Sequence, residues 1–163
     1  MPVALYRIDD RLIHGQVVVG WGQPLDLGFI VLVDDVVAES DWEQELYRLG
    51  VPPSMEVQFA STREAARSMA RYAADRRTGM VLTGNVDTML ELVRTTAEPI
   101  TAVNVGGIHH REDRTQRLRY VFLNRSEESA LREMAELGVV VTAQDVPSAT
   151  SHSLEDLLKG CAR

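Results

Sequence analysis

The sequence predicts an α/β protein of three layers, with a mostly parallel central sheet of about seven strands and helices on both faces. Three observations carry this. Short apolar, β-branched runs recur along the chain, the segments between them have helical spacing and helix-start signals, and those segments are long enough for right-handed crossovers between parallel strands. The 163 residues suit a single domain spanning 1–163, large enough to bury a core without disulfides or a structural metal.

The strand candidates are "VALYRI" at 3–8, "FIVLVDD" at 29–35, "MEVQFA" at 55–60, "MVLTG" at 80–84, "ITAVNVGG" at 100–107, "YVFL" at 120–123 and "VVVTAQ" at 139–144. Most read as buried on both faces. Among the helices, Ser40 with Glu43 and Ser61 with Glu64 fit capping boxes. Asn85 caps a helix whose Val86, Met89, Leu90 and Val93 share one face. Leu131, Met134 and Leu137 form a similar stripe ended by Gly138. "QVVVGWGQPL" reads as a short helix, with Trp21 packing it near the loop that precedes it. Trp42 falls in the first turn of the Ser40-capped helix, where core or edge packing is expected. "GVPPSM" is a helix-to-strand turn, Asp34 and Asp35 are read as capping residues, and His152 as a polar residue before the last helix.

Composition excludes several classes. A formal charge of -7 speaks against nucleic-acid binding, which needs a basic surface to displace counterions from phosphate. The single cysteine, Cys161, is expected near the end of the last helix, so no disulfide framework or cysteine zinc cluster is expected. With neither a leader-like start nor an 18-residue apolar run, the chain is expected in the cytoplasm.

In an open α/β sheet, sites gather where strands end at their carboxyl side. Two loops stand out there: residues 8–15 after the first strand, and 104–117 after the fifth. The first, within "RIDDRLIHGQV", concentrates Arg7, Asp9, Asp10, Arg11 and His14. Imidazole is nucleophilic and changes charge near neutral pH. Arg7 and Arg11 can neutralise an anion beside it, Asp9 or Asp10 can fix its tautomer, Gly15 permits close backbone approach, and the following helix start presents free amides. Phosphate fits this arrangement best. Ion pairing at a strand end explains the same charges equally well on composition alone. The second loop supplies Gly106, Gly107, His109, His110, Arg111 and Arg114. A zinc site from His14, His109, His110 and Asp9 or Asp10 is the weaker alternative, because the spacing is wrong for common ligand sets.

"RIDDRLIHGQVVVGW" closely resembles the active-site segment of the EIIB component of the sugar phosphotransferase system, mannose/fructose/sorbose family. "VPPSMEV", "NVGGIHHR" and "LGVVVTAQDVP" continue the resemblance in order over nearly the whole chain, whereas "LTGNVDTM" departs from the lysine- or proline-containing segment of many members. The resemblance implies a phosphotransferase subunit in which His14 accepts a phosphoryl group from a phosphorylated EIIA protein and passes it to sugar entering through membrane EIIC and EIID components. Arg11 and then Arg7 are the expected phosphate contacts, with Asp10 orienting Arg11 or the loop. Gly15, Gln16, Gly106, Gly107, His109 and Arg111 are expected to flank phosphate or partners. No metal or other cofactor is expected. The chain would associate peripherally with the membrane transporter, and homo-oligomer formation stays open. A regulatory phosphoacceptor without a transport partner and a metal-dependent hydrolase are the alternatives.

Overall fold

The computed structural model of the chain describes residues 3–159, so the expectation for Cys161 falls outside the described residues. The strands are β1 (Val3–Ile8), β2 (Phe29–Val33), β3 (Glu56–Ala60), β4 (Gly79–Thr83), β5 (Ala102–Val105), β6 (Thr115–Leu118), β7 (Val121–Leu123), β8 (Val140–Ala143) and β9 (His152–Ser153). The helices are α1 (Asp41–Leu49), α2 (Thr62–Ala74), α3 (Val86–Thr95), α4 (Arg125–Glu136) and α5 (Leu154–Lys159). A six-residue π-helical turn occupies Gln16–Trp21, and a 3-10 turn Val37–Glu39.

Seven strands form one sheet in the order β3-β2-β4-β1-β5-β8-β9, in which only the pairing of β9 with β8 is antiparallel. The predicted architecture is therefore observed. β2 and β4 are buried at every residue, as expected for strands covered on both faces. One face packs Val31, Val81, Val103 and Val141 against residues of α2, α3, α4 and α5, including Met69, Met89, Leu131 and Leu157. The other packs Ile30, Leu32, Met80 and Leu82 against Val17, Val18 and Trp21 of the π-helical turn, with Tyr47 of α1 at its margin. Each fully buried aliphatic side chain contributes about 1.5–3 kcal/mol relative to leaving it in water.

Several local expectations change. "YVFL" does not join the main sheet: β7 pairs antiparallel with β6 in a separate two-stranded ribbon. A run of apolar residues reports burial and not which sheet provides it. The seventh strand of the main sheet is the two-residue β9, so His152 pairs beside Ala143 directly before α5. Ser61 and Asn85 cap α2 and α3 through Glu64 N and Thr88 N, whereas Ser40 makes no side-chain cap. A capping box at Asn124 and Glu127 starts α4 instead. Leu137 is exposed at the end of α4, just before Gly138, whose φ of +93° is the left-handed conformation that stops the helix at little cost only for glycine. Trp42 is exposed rather than packed.

Asp34 and Asp35 do act as caps. Asp34 Oδ1 accepts from the backbone of Val36 and Val37, and Asp35 Oδ1 from that of Thr62. Because β1, β2, β4, β5 and β8 run the same way, the loops that follow them share one edge. β1 is central there, with β4 on one side and β5 on the other.

Candidate functional site

Three loops meet at that edge: residues 9–15 after β1, the segment after β5, and Gln144–Asp145 after β8. Arg7 ties them together from below. It is fully buried and donates to Asn104 Oδ1, to the carbonyls of Gln144 (2.9 Å) and Asp145 (3.0 Å), and to Asp9 Oδ2 (3.1 Å). Its guanidinium stands 5.0 Å from the centroid of the Trp21 ring, and Trp21 Nε1 donates to the same Asp145 carbonyl at 3.0 Å. Burial pushes the Arg7 guanidinium below its ordinary value, opposed by the Asp9 charge. Arg7 was expected to contact phosphate directly. With its terminal nitrogens committed beneath the surface, it is instead the post on which the loops are fixed.

Asp9 is the second fixed group. Its buried carboxylate accepts four hydrogen bonds, one from Arg7 and three from Arg11 through N (3.2 Å), Nε (3.0 Å) and Nη2 (2.9 Å). Burial alone would raise its pKa. The Arg11 hydrogen bonds and the charges of Arg7, Arg11 and His14 outweigh this and hold the carboxyl below the usual range. Arg11 is partly exposed and its Nη2 also lies 4.0 Å from Asp145 Oδ1. Hydrogen bonding to Asp9 raises the Arg11 pKa. Asp9, not Asp10, is therefore the carboxylate that orients Arg11.

His14 Nδ1 stands 2.8 Å from the Leu12 carbonyl, so Nδ1 carries the proton in the neutral ring and donates it there. The tautomer is set by this carbonyl rather than by an aspartate. Leu12 has a φ of +59°, a strained conformation for a branched side chain. Gly84 makes room for it, since a Cβ there would stand 2.8 Å from Leu12 Cδ2. Nε2 of His14 is buried, 4.0 Å from Asp9 Oδ2, and has no hydrogen-bond partner among the described residues. One ring nitrogen is thus bonded and the other covered.

Asp10 faces the second loop. Its carboxylate accepts from His109 N (2.7 Å) and His109 Nδ1 (2.5 Å), and its amide donates to the Gly107 carbonyl at 2.8 Å. This clasp leaves the rest of the His109 ring exposed. Below it, Arg114 donates to the His109 carbonyl and forms a buried pair with Glu127. Gly106 and Gly107 have a specific purpose: a Cβ on Gly106 would collide with the Arg7 guanidinium, and one on Gly107 would stand 2.9 Å from Arg11 Nε. Each guanidinium occupies the space a side chain would need.

The remaining expectations resolve as follows. A Cβ on Gly15 would meet nothing within 4 Å among the described residues, so no close approach there requires glycine. Gln16 points inward, and its Oε1 is buried without a partner among the described residues. Arg111 is exposed and pairs with Asp113 at 3.5 Å, outside the Arg7–Asp9–Arg11 network. His110 packs edge-on against Phe122, so with His109 tied to Asp10 the histidines considered for zinc do not converge. Sequence reading missed Asn104, Gln144, Asp145 and Tyr120. Tyr120 has a buried hydroxyl without a partner among the described residues and a pKa pushed up to about 12, mainly by burial. Asp145 and Arg7 contribute to that value by charge, which sets the ring near both.

The family described as "PTS system sorbose subfamily IIB component" matches residues 3–162. The sorbose-specific EIIB component of Klebsiella pneumoniae is 31% identical over 162 residues, covering 99% of this chain and 98% of that protein. The crystal structure of the IIBSor domain of the Klebsiella pneumoniae sorbose permease superposes with a TM-score of 0.88 at 30% identity, covering 99% of each chain. The mannose-specific EIIAB component of Escherichia coli (strain K12) is 29% identical over 97% of this chain, which corresponds to 49% of that longer protein.

Proposed function

The chain belongs to the sorbose subfamily of IIB components of the sugar phosphotransferase system, and from that premise we propose that His14 accepts a phosphoryl group from a phosphorylated EIIA partner and delivers it to a sugar held by membrane EIIC and EIID components. Membership makes it a phosphotransferase component; the residue, partners and acceptor are our reading. The observation that carries it is the neighbourhood of His14. A histidine with its tautomer held by the Leu12 carbonyl sits beside Asp9, whose carboxylate positions the partly exposed Arg11.

In the first transfer, an imidazole nitrogen lone pair of His14 attacks phosphorus as the donor's phosphorus–nitrogen bond breaks. In the second, a sugar hydroxyl oxygen attacks phosphorus, the bond to His14 breaks, and the hydroxyl proton is released. Such transfers need in-line placement and charge stabilisation of the equatorial oxygens, with little other covalent work from the protein. Arg11 supplies the nearest mobile positive charge. The exposed His109 and Arg111 extend the surface available to phosphate or partner, and Asp10 holds His109 in place. No metal is needed for either step. The EIIAB relative, named for both components, supports an EIIA donor. Among the described residues no helix is long and apolar enough to cross a membrane, so the acceptor site is assigned to a separate membrane component.

The test is incubation with a phosphorylated EIIA protein, followed by intact mass of wild type and His14→Ala. An acid-labile, base-stable phosphate on wild type that vanishes in His14→Ala is expected. An unlabelled wild type beside a donor of demonstrated activity refutes the reading.

A further inference from the structure

Helix α1 is amphipathic with its apolar face turned away from the protein. Gln44 points inward and donates to the carbonyls of Val37 and Ala38, and Tyr47 packs on Phe59. Trp42, Leu46 and Leu49, spaced to share one helix face, point outward at 68%, 55% and 78% exposure, and no residue of the helix is buried. Val36, 72% exposed, stands in the loop after β2, on the edge that also carries the His14 loop. Together these four residues expose on the order of 500 Å², within the range of the largest apolar patch of a typical monomer, which is often functional.

The charges around this stripe define what fits it. Glu43 lies on one flank and Glu45 on the other, with Glu39 and Asp41 exposed at the head. Arg48, the helix's one basic residue, is drawn to Glu45 and over the Phe59 ring. A second copy of the chain would bring acidic flanks against acidic flanks, and anionic lipid would be repelled. The complementary surface is apolar and rimmed by lysine and arginine. Membrane proteins concentrate such residues on their cytosolic loops.

We propose that the Trp42–Leu46–Leu49 face of α1 is the surface by which this chain docks on the basic cytosolic face of the membrane component that receives its phosphoryl group. This rests on the carrier reading above. α1 follows β2 at the carboxyl edge of the sheet, the edge that also carries the His14 loop, so docking there sets that edge beside the partner.

The test uses inside-out vesicles containing an EIIC/EIID pair, with protein-free anionic vesicles alongside, and compares wild type with Leu46→Glu and with Glu43→Lys/Glu45→Lys. Both variants change exposed or half-buried positions, and circular dichroism verifies their folding. The expected result is donor-driven labelling of His14 within about twofold of wild type in both, with co-sedimentation and sugar phosphorylation falling about tenfold or more through KM. The charge-reversed variant should lose most at low salt. Wild-type docking by both variants overturns the proposal. Equal binding of wild type to protein-free vesicles also overturns it, in favour of lipid, and a dimer in sedimentation velocity that Leu46→Glu dissolves does so in favour of a second copy. An unlabelled wild type at the first step removes the carrier reading itself, and the docking assignment with it.

Discussion

Replacing Gly106 and Gly107 by alanine, one at a time, separates the two arginines by what each is for. Neither glycine has the positive φ that excludes a side chain, and the obstacle is a guanidinium in both cases. At Gly106 it belongs to Arg7, which is fully buried with acceptors in strand β5 and in the loops after β1 and β8 and has nowhere to go. Overpacking costs about 1–3 kcal/mol, and breaking a buried ion pair about 3–5 kcal/mol. We expect about 3 kcal/mol for Gly106→Ala, which lowers Tm by about 6–12 °C in a chain of this size. At Gly107 the guanidinium belongs to Arg11, whose side chain is 29% exposed and can swing outward, so the stability cost is about 1 kcal/mol or less. Losing one charge-assisted contact of about 1.5–3 kcal/mol from the transition state slows phosphoryl transfer about 10- to 100-fold. Thermal unfolding and rapid-quench transfer from a phosphorylated EIIA donor read the two effects separately. Equal Tm shifts, or wild-type transfer by Gly107→Ala, would refute the assignment of Arg7 to structure and Arg11 to phosphate.

Three further outcomes are expected. Asp9 has a folded pKa below its ordinary 3.8, so its contribution is fully present above the unfolded value of about 3.9 and is lost as pH falls through the folded one; urea unfolding should show stability dropping below about pH 4, and Asp9→Asn should flatten that slope. Asp10→Asn weakens the clasp to the exposed His109 and should change Tm little while raising the KM for the phosphoryl donor; an unchanged KM counts against a role for the second loop in docking. Asn124→Ala removes the capping box of α4 and should cost about 1 kcal/mol, read as a Tm lowered by about 2–4 °C with His14 labelling intact.

The sheet was legible because β2 and β4, buried throughout, leave unbroken β-branched runs, and because helix caps such as Ser61 and Asn85 are local chemistry. The strand at "YVFL" was legible but its sheet was not, since an apolar run is the same in a ribbon as in a main sheet, and its partner β6, "TQRL", has no apolar pattern to announce it. Trp42, Leu46 and Leu49 show the same limit, because helical periodicity reveals that a face exists and is silent on which way it turns. At the site, His14 and its charged neighbours were visible as one contiguous stretch. The choice between Asp9 and Asp10 was not, because the chain turns at Asp10–Arg11 and strand alternation stops predicting direction there. Gln144 and Asp145 enter through main-chain carbonyls, which no side-chain pattern announces.

The paired hydrogen bonds from the Arg11 guanidinium to Asp9 have an energetic meaning for a carrier. On the proposed carrier reading, a phosphoryl group on His14 competes with Asp9 for Nε and Nη2 of Arg11, which the carboxylate already holds, so part of what the new contact gains goes into loosening the old one. A relay that clung to its cargo would stall midway, with the phosphate too comfortable to leave. In that reading Asp9 is an internal rival for the arginine, already in place to take it back when the cargo departs.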